Sequence, residues 1–284
     1  MSTLGDLAEL VRAPAALSVP GDVVAGAAAA GALGPRTAGL AGASVLLYWA
    51  GMAANDWADR RLDAVERPER PIPSGRVSPA TALALAAGLT AAGVGLAAVT
   101  GGRRAAAVAI PLAATIWGYD VAAKNTAAGP AVMAACRGLD VLLGAAGGRP
   151  VRALPAALTV AAHTVTVTAL SRREVAGADT ALPLRTLAGT ALVALAAARR
   201  PTTPTAVLPV ALAGWYAARY GGAQARVAAD PSAGRVRAAV GAGITGLPAL
   251  QGALTARAGA GLLGLAVAAA APLGRRLARR ISPT

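Results

Sequence analysis

The chain has 284 residues, 56 % of them hydrophobic and only 14 % charged, with a mean hydropathy of +0.56. A soluble domain of this length carries about 25 % charged residues, so the composition excludes an ordinary globular domain and points to a polytopic membrane protein. The formal charge of +14 does not indicate nucleic acid: aromatics make up 3 %, and the arginines lie between apolar runs, where they set topology and meet anionic lipid head groups.

Cys136 is the single cysteine, which rules out an internal disulfide and a Cys-based zinc site. The stretch up to Asp22 lacks the basic region and clean apolar core of a cleaved signal peptide. Apolar runs follow at residues 14–34, 38–55, 78–101, 104–121, 129–147, 153–170, 182–198, 203–220, 235–255 and 258–274. Spanning takes roughly 20 residues. The expected fold is therefore all-α, a membrane helix bundle of nine to ten spans, forming one domain over residues 1–284. No repeat with a period in the range of known solenoids is evident. Basic residues are more than twice as frequent on the side that carries the N-terminus and the loops after runs 2, 4 and 6. The positive-inside rule places that side in the cytoplasm and the protein in the cell membrane.

Ionisable groups at membrane depth are costly and mark function or pairing. Asp22, after Pro20-Gly21, either caps a helix or faces a cavity. Arg137 and Asp140, three residues apart, form either an intramembrane ion pair or part of an anion site. His163, the only histidine, is expected to be hydrogen-bonded between helices. Gly88, Gly93 and Gly95 are read as sites of close helix packing. Trp49, Trp57, Trp117 and Tyr119 lie near span ends and suit an interfacial belt, although Trp57 and Tyr119 also flank the site described next.

Asp56, Asp59, Asp63, Glu66 and Glu69 crowd into the loop after run 2. Asp56, Asp59 and Asp63 stand at i, i+3 and i+7, which puts three carboxylates on one helix face. Asn55 precedes them, and Arg60 and Arg61 point elsewhere. The repulsion is relieved either by solvent, in a topology-setting loop, or by a divalent cation. Mg²⁺ prefers oxygen ligands and bridges carboxylates to phosphate oxygens.

Asn55-Asp56-x-x-Asp59-x-x-x-Asp63, followed by Arg70-Pro71-Ile72-Pro73-Ser74-Gly75, resembles the first aspartate-rich motif of the UbiA family of intramembrane prenyltransferases. Tyr119-Asp120…Lys124 and Cys136-Arg137-Gly138-Leu139 resemble its middle segment, and Ser171-Arg172-Arg173-Glu174-Val175 resembles the EboC-like branch. The resemblance implies a helical bundle around a cavity, with two acidic loops holding Mg²⁺ on the diphosphate of a polyprenyl donor. It also implies a lipophilic acceptor, aromatic or otherwise, that attacks the allylic cation. Asp56, Asp59 and Asp63 become the catalytic metal-holding triad. Asn55, Arg67, Arg70, Lys124, Arg137, Arg172, Arg173, Asp22 and Tyr119 become substrate-binding candidates.

The second acidic loop departs from the family's pattern. Its acids, Glu174 and Asp179, are at i and i+5, about 140° apart on a continuous helix, so they share a metal only where Gly177 breaks the helix. Arg172 and Arg173 beside them are alternative phosphate partners. This departure keeps a second reading in view, a non-catalytic member that binds or moves a lipophilic metabolite. No nucleic acid partner is expected. The partners are the prenyl diphosphate, the acceptor and membrane lipid.

Overall fold

The computed structural model describes residues 2–13, 18–198 and 207–270, which are helical with no strand among them. In chain order the helices are α1 Leu4–Leu10, α2 Pro20–Ala30, α3 Pro35–Glu66, α4 Pro79–Gly118, α5 Gly129–Gly144, α6 Pro150–Ser171, α7 Ala181–Ala198, α8 Val207–Tyr216, α9 Gly222–Ala229, α10 Ala233–Arg257 and α11 Gly261–Ala270. Short π-helical turns follow α4 (Tyr119–Ala123) and α8 (Ala217–Gly221). Proline opens α2, α3, α4 and α6, where its fixed φ suits a helix start and its missing N–H costs nothing. Among the described residues, five segments are individually long and apolar enough to cross a bilayer. Parts of the first, eighth and tenth apolar runs (residues 14–17, 203–206 and 271–274), as well as Arg199, Arg200 and the last four arginines, lie outside the described residues.

The two runs at 78–101 and 104–121 appear as one 40-residue helix, α4. A straight helix of that length would be about 60 Å long, twice the hydrocarbon thickness. It is not straight. Gly102 adopts φ 69° and ψ −162°, and Trp117 Nε1 donates to Thr90 Oγ1 at 3.0 Å. Residues that far apart in sequence meet only if the chain reverses at Gly102, so the two arms lie antiparallel as two passes. The positive φ makes glycine the fitting residue there.

The α2–α5 crossing positions the rest. A Cβ on Gly26 would lie 1.8 Å from the carbonyl oxygen of Val141, and one on Gly144 would lie 2.0 Å from that of Val23. The contact is reciprocal because the two helices carry the same pattern: Asp22-Val23-x-x-Gly26-Ala27-Ala28 and Asp140-Val141-x-x-Gly144-Ala145-Ala146. The two copies lie 118 residues apart (Asp22 to Asp140), well beyond the periods of solenoid repeats. Among the glycines expected at close helix contacts, Gly93 packs on Leu47 and Ala43, but Gly88 and Gly95 meet nothing within 4 Å. They sit on open faces of the first arm of α4, so the packing expectation fails for those two.

Candidate functional site

α3 runs unbroken to Glu66, so Asp56, Asp59 and Asp63 do share one helix face, with Asp56 and Asp63 buried and Asp59 partly exposed. Each carboxylate has a cation. Arg70 Nη1 lies 2.6 Å from Asp63 and 3.3 Å from Asp56. Arg12 Nη2 donates to Asp56 at 2.8 Å, and Lys124 Nζ lies 2.6 Å from Asp59. Three acids thus face three bases. Asn55 donates to Asp120 Oδ1 at 3.2 Å. Arg60 stacks over Trp57, with its guanidinium 4.7 Å from the ring centroid, and so leaves the acidic face as expected.

The loop after the triad is built to hold Arg70 in place. Pro71 and Ile72 are buried, Ser74 Oγ donates to the Arg70 carbonyl at 2.7 Å, and Gly75 closes the turn with φ 76°. Arg76 then clasps α1, reaching Asp6 at 2.8 Å and Glu9 at 2.7 Å and 3.0 Å. Leu10 and Val11 are buried beside Ala53, Ala54 and Ile72. This docking delivers Arg12 to Asp56 with φ 46°, a strained value for a non-glycine residue.

The other loops gather at the same end. Arg172 Nη2 donates to the Thr126 carbonyl at 2.5 Å, tying the loop after α6 to the loop before α5. Burial raises the Glu174 carboxyl, while Arg237 and Arg67 act to lower it. Glu174 is tied through its carbonyl to Arg237 Nη1 at 2.7 Å, at the start of α10. α6 ends at Ser171, before either acid, and Gly177 turns the loop with φ 78°, so close to Pro231 that a Cβ would fall 2.7 Å from its carbonyl oxygen. Asp179, however, accepts from Leu182 N–H at 2.7 Å at the start of α7, the bond of a helix cap. Arg173 is exposed. Tyr119 opens the π-helical turn that carries Asp120 and ends at Lys124.

Asp22 and Arg137 are not brought to these loops. They pair with each other at 2.7 Å, and Asp22 also accepts from Gln251 at 2.7 Å. Asp22 therefore caps no helix: α2 is preceded by Val19, which makes no side-chain cap bond. Asp140 does not take the Arg137 ion pair suggested by the i+3 spacing; it accepts from Ser44 instead. On α5 the two side chains emerge only about 60° apart around the axis, so the spacing permits the pair; instead α2 supplies Asp22 to Arg137 and α3 supplies Ser44 to Asp140. His163 bonds Tyr216 across helices at 2.8 Å, as expected.

Two residues were missed from the site by sequence reasoning. Arg12 is one basic residue in the stretch before Asp22, and nothing local indicates that it reaches across to residue 56. Asp120 was quoted in the resemblance but given no role, although an acid one residue after Tyr119, at a span end, was a usable signal. Among the described residues no three acid, histidine or cysteine side chains converge as a metal cluster. Asp56 and Asp63 converge on Arg70, while Asp59 is turned toward Lys124.

The model of the UbiA prenyltransferase family matches residues 18–188. The digeranylgeranylglyceryl phosphate synthase of Methanopyrus kandleri is 39 % identical over 139 residues, 48 % of this chain and 51 % of that protein. The synthase of the same name from Halobacterium salinarum is 34 % identical over 195 residues, 66 % of this chain and 69 % of that one. The chain spans about half the length of the Methanopyrus relative and of a Natronomonas pharaonis one. Among solved structures, one concerning digeranylgeranylglyceryl phosphate synthase in membranes superposes with a TM-score of 0.68 over 90 % of this chain and 98 % of that one, at 16 % identity. A UbiA homologue from Aeropyrum pernix K1 gives 0.63 over 88 % and 96 %, at 21 % identity. These two show the fold. With the family model covering more than half of the sequence, the chain belongs to the UbiA prenyltransferase family.

Proposed function

We propose that the protein transfers a prenyl group from a polyprenyl diphosphate to a lipophilic acceptor within the membrane, in a Mg²⁺-dependent reaction. The observation that carries this reading is the matched set of three carboxylates and three cations at the end of α3. Arg70 Nη1 lies within 3.3 Å of oxygens from both Asp56 and Asp63, so a positive centre already sits between two buried carboxylates. Hard oxygen donors of this kind suit Mg²⁺. Asp56 and Asp63 would hold it, with Asp59 joining them. When bound, the ion supplies neutralisation of the charge that develops on departing diphosphate.

The chain's own part follows from charge balance. Arg12, Arg70 and Lys124 are paired with carboxylates in this state. They are the groups free to turn to phosphate oxygens once the carboxylates have another cation to hold. Arg172, in the loop after α6, adds a bidentate donor. Fixed cations at the leaving oxygen lower the barrier to ionisation without any proton transfer. The product named for the relatives is a glyceryl phosphate bearing two geranylgeranyl groups, so a geranylgeranyl donor and a hydroxylic lipid acceptor head the set to assay. The aspartate loops and N-terminus are proposed to face the cytoplasm, on the distribution of basic residues.

The test is release of diphosphate from geranyl, farnesyl and geranylgeranyl diphosphates by the purified protein with Mg²⁺. Binding of donor without release, with or without acceptor lipids, would favour the non-catalytic reading. That reading draws its support from Asp179, which is spent as a cap in the second loop.

A further inference from the structure

We infer that the end of the molecule opposite the aspartates carries a binding site for the phosphate head group of an anionic phospholipid. The chain forms there a depression of about 620 Å³, lined by Arg104 from the second arm of α4 and by Gly148, Arg149, Pro150, Val151 and Arg152 around the start of α6. α6 has 22 residues between this end and the second acidic loop, roughly 33 Å at 1.5 Å per residue. That is a full hydrocarbon thickness, so the depression belongs to the other leaflet and is separate from the diphosphate site. The inference does not rest on the proposed reaction.

Charge argues for an anion. All three arginines are exposed, and none has a carboxylate partner among the described residues. The acidic residues lie at the aspartate end or, as Asp22 and Asp140, are fully buried between helices. Three guanidinium groups around one concavity, unrelieved by any acid, repel each other until an anion enters. The backbone holds the arrangement in place: Arg149 N–H donates to the Ala30 carbonyl at 3.1 Å, anchoring the turn to the end of α2.

The surroundings argue for a lipid as the source of that anion. Val151, Leu154 and Leu158 are exposed, and their i, i+3, i+7 spacing puts them on one face of α6 descending from the depression. Arginines at the membrane surface with an apolar stripe running inward match a head group with its acyl chains. A dissolved phosphate would use the arginines and leave the stripe without purpose.

The experiment is native mass spectrometry of the purified full-length protein, released from detergent after exchange into phosphatidylglycerol or phosphatidylcholine of matched acyl chains. The expected result is retention of phosphatidylglycerol over phosphatidylcholine. Arg104→Gln, Arg149→Gln and Arg152→Gln should each lower that retention roughly fivefold, the loss expected for one surface cation near an anionic lipid. Arg36→Gln, a cation at the start of α3 that does not line the depression, should leave it unchanged. Inorganic phosphate at millimolar concentration should not displace the lipid. Equal retention of the two lipids by the wild type, indifference to all three substitutions, or displacement by inorganic phosphate would each overturn the inference. The wild-type comparison decides the matter even if a variant fails to fold.

Discussion

Arg70 is where metal and diphosphate binding can be made to move in opposite directions. Its contact with Asp63, 2.6 Å, is a full charge-assisted hydrogen bond; that with Asp56, 3.3 Å, is long and adds little. Such a bond contributes about 1.5–3 kcal/mol. The Arg70 side chain keeps 18 % of its surface in solvent, which screens the pair and leaves about 1–2 kcal/mol as the working range. A divalent ion arriving alone must displace that interaction. Arg70→Gln should therefore tighten binding of the ion alone by about five- to thirtyfold. The same change removes a cation that would face phosphate, so binding of a prenyl diphosphate at saturating Mg²⁺ should weaken by about tenfold, a loss of about 1.4 kcal/mol. The assay is electron paramagnetic resonance of free Mn²⁺, used as the spectroscopic stand-in for Mg²⁺, with and without farnesyl diphosphate. If Arg70→Gln left metal affinity unchanged, or weakened both ligands together, Arg70 would not be holding the place of the ion and the exchange argument would fail.

Asp59→Asn should cost at least about tenfold in Mg²⁺-dependent prenyl diphosphate binding; equal affinity in the Asn variants of Asp56, Asp59 and Asp63 would remove the triad from the site. Gly26→Ala and Gly144→Ala drive a methyl group into a facing backbone carbonyl that cannot swing aside, so each should destabilise by about 3 kcal/mol or more in thermal unfolding. Gly88→Ala, in open space, should be neutral or mildly stabilising, and equal effects at the three positions would refute the crossing geometry. Hydrogen bonds from the Thr3 backbone and side chain, then from Arg76, hold the Asp6 carboxyl down to about 2 against an ordinary 3.8. A depressed carboxylate contributes stability above its unfolded value and loses it as pH falls, so the Thr3–Asp6 cap of α1 should hold at neutral pH and be lost between about pH 4 and pH 2. Pepsin cleavage near Leu4–Leu10 reads this, and unchanged protection down to pH 2 would contradict it. Cysteines placed at Ser74 and Ser171 in a Cys136→Ala background should resist an impermeant thiol reagent on intact cells; labelling from outside would invert the topology.

The parts of the site set by helical spacing were legible in the sequence. Asp56, Asp59 and Asp63 share a face because α3 continues past the membrane, and no residue before Arg67 interrupts it. Gly177 was legible as a turn because only glycine takes its backbone conformation without cost; that α6 ends six residues earlier, at Ser171, was not. The partners were not legible. Arg12 reaches Asp56 through a docked seven-residue helix whose anchor, Arg76, lies far along the chain. The pairing of Arg137 with Asp22 rather than Asp140 depends on which helices flank α5, and local spacing is silent on that. Glycine alone does not reveal packing either: Gly93 and Gly95 are two residues apart, and only Gly93 faces a neighbour.

The two halves of the chain help explain why only one acidic loop is well furnished. The shared Asp-Val-x-x-Gly-Ala-Ala pattern sets α2 and α5 in register. In that register Glu174 stands as far beyond Asp140 as Asp56 stands beyond Asp22. The second loop thus keeps an acid at the first position of the triad. Gly177 then falls where Asp59 does, and Ala181 where Asp63 does. The first half extends its helix and stacks three carboxylates along it. The second half ends its helix at Ser171, before the position of the first acid, turns at Gly177 against Pro231, and uses its remaining acid, Asp179, to start α7. A helix carrying three carboxylates needs cations, and Arg12, Arg70 and Lys124 provide them; a broken loop with one unpaired, partly buried acid does not. The asymmetry of charge therefore follows from the asymmetry of backbone. The proposed metal binding therefore falls mainly on the first half.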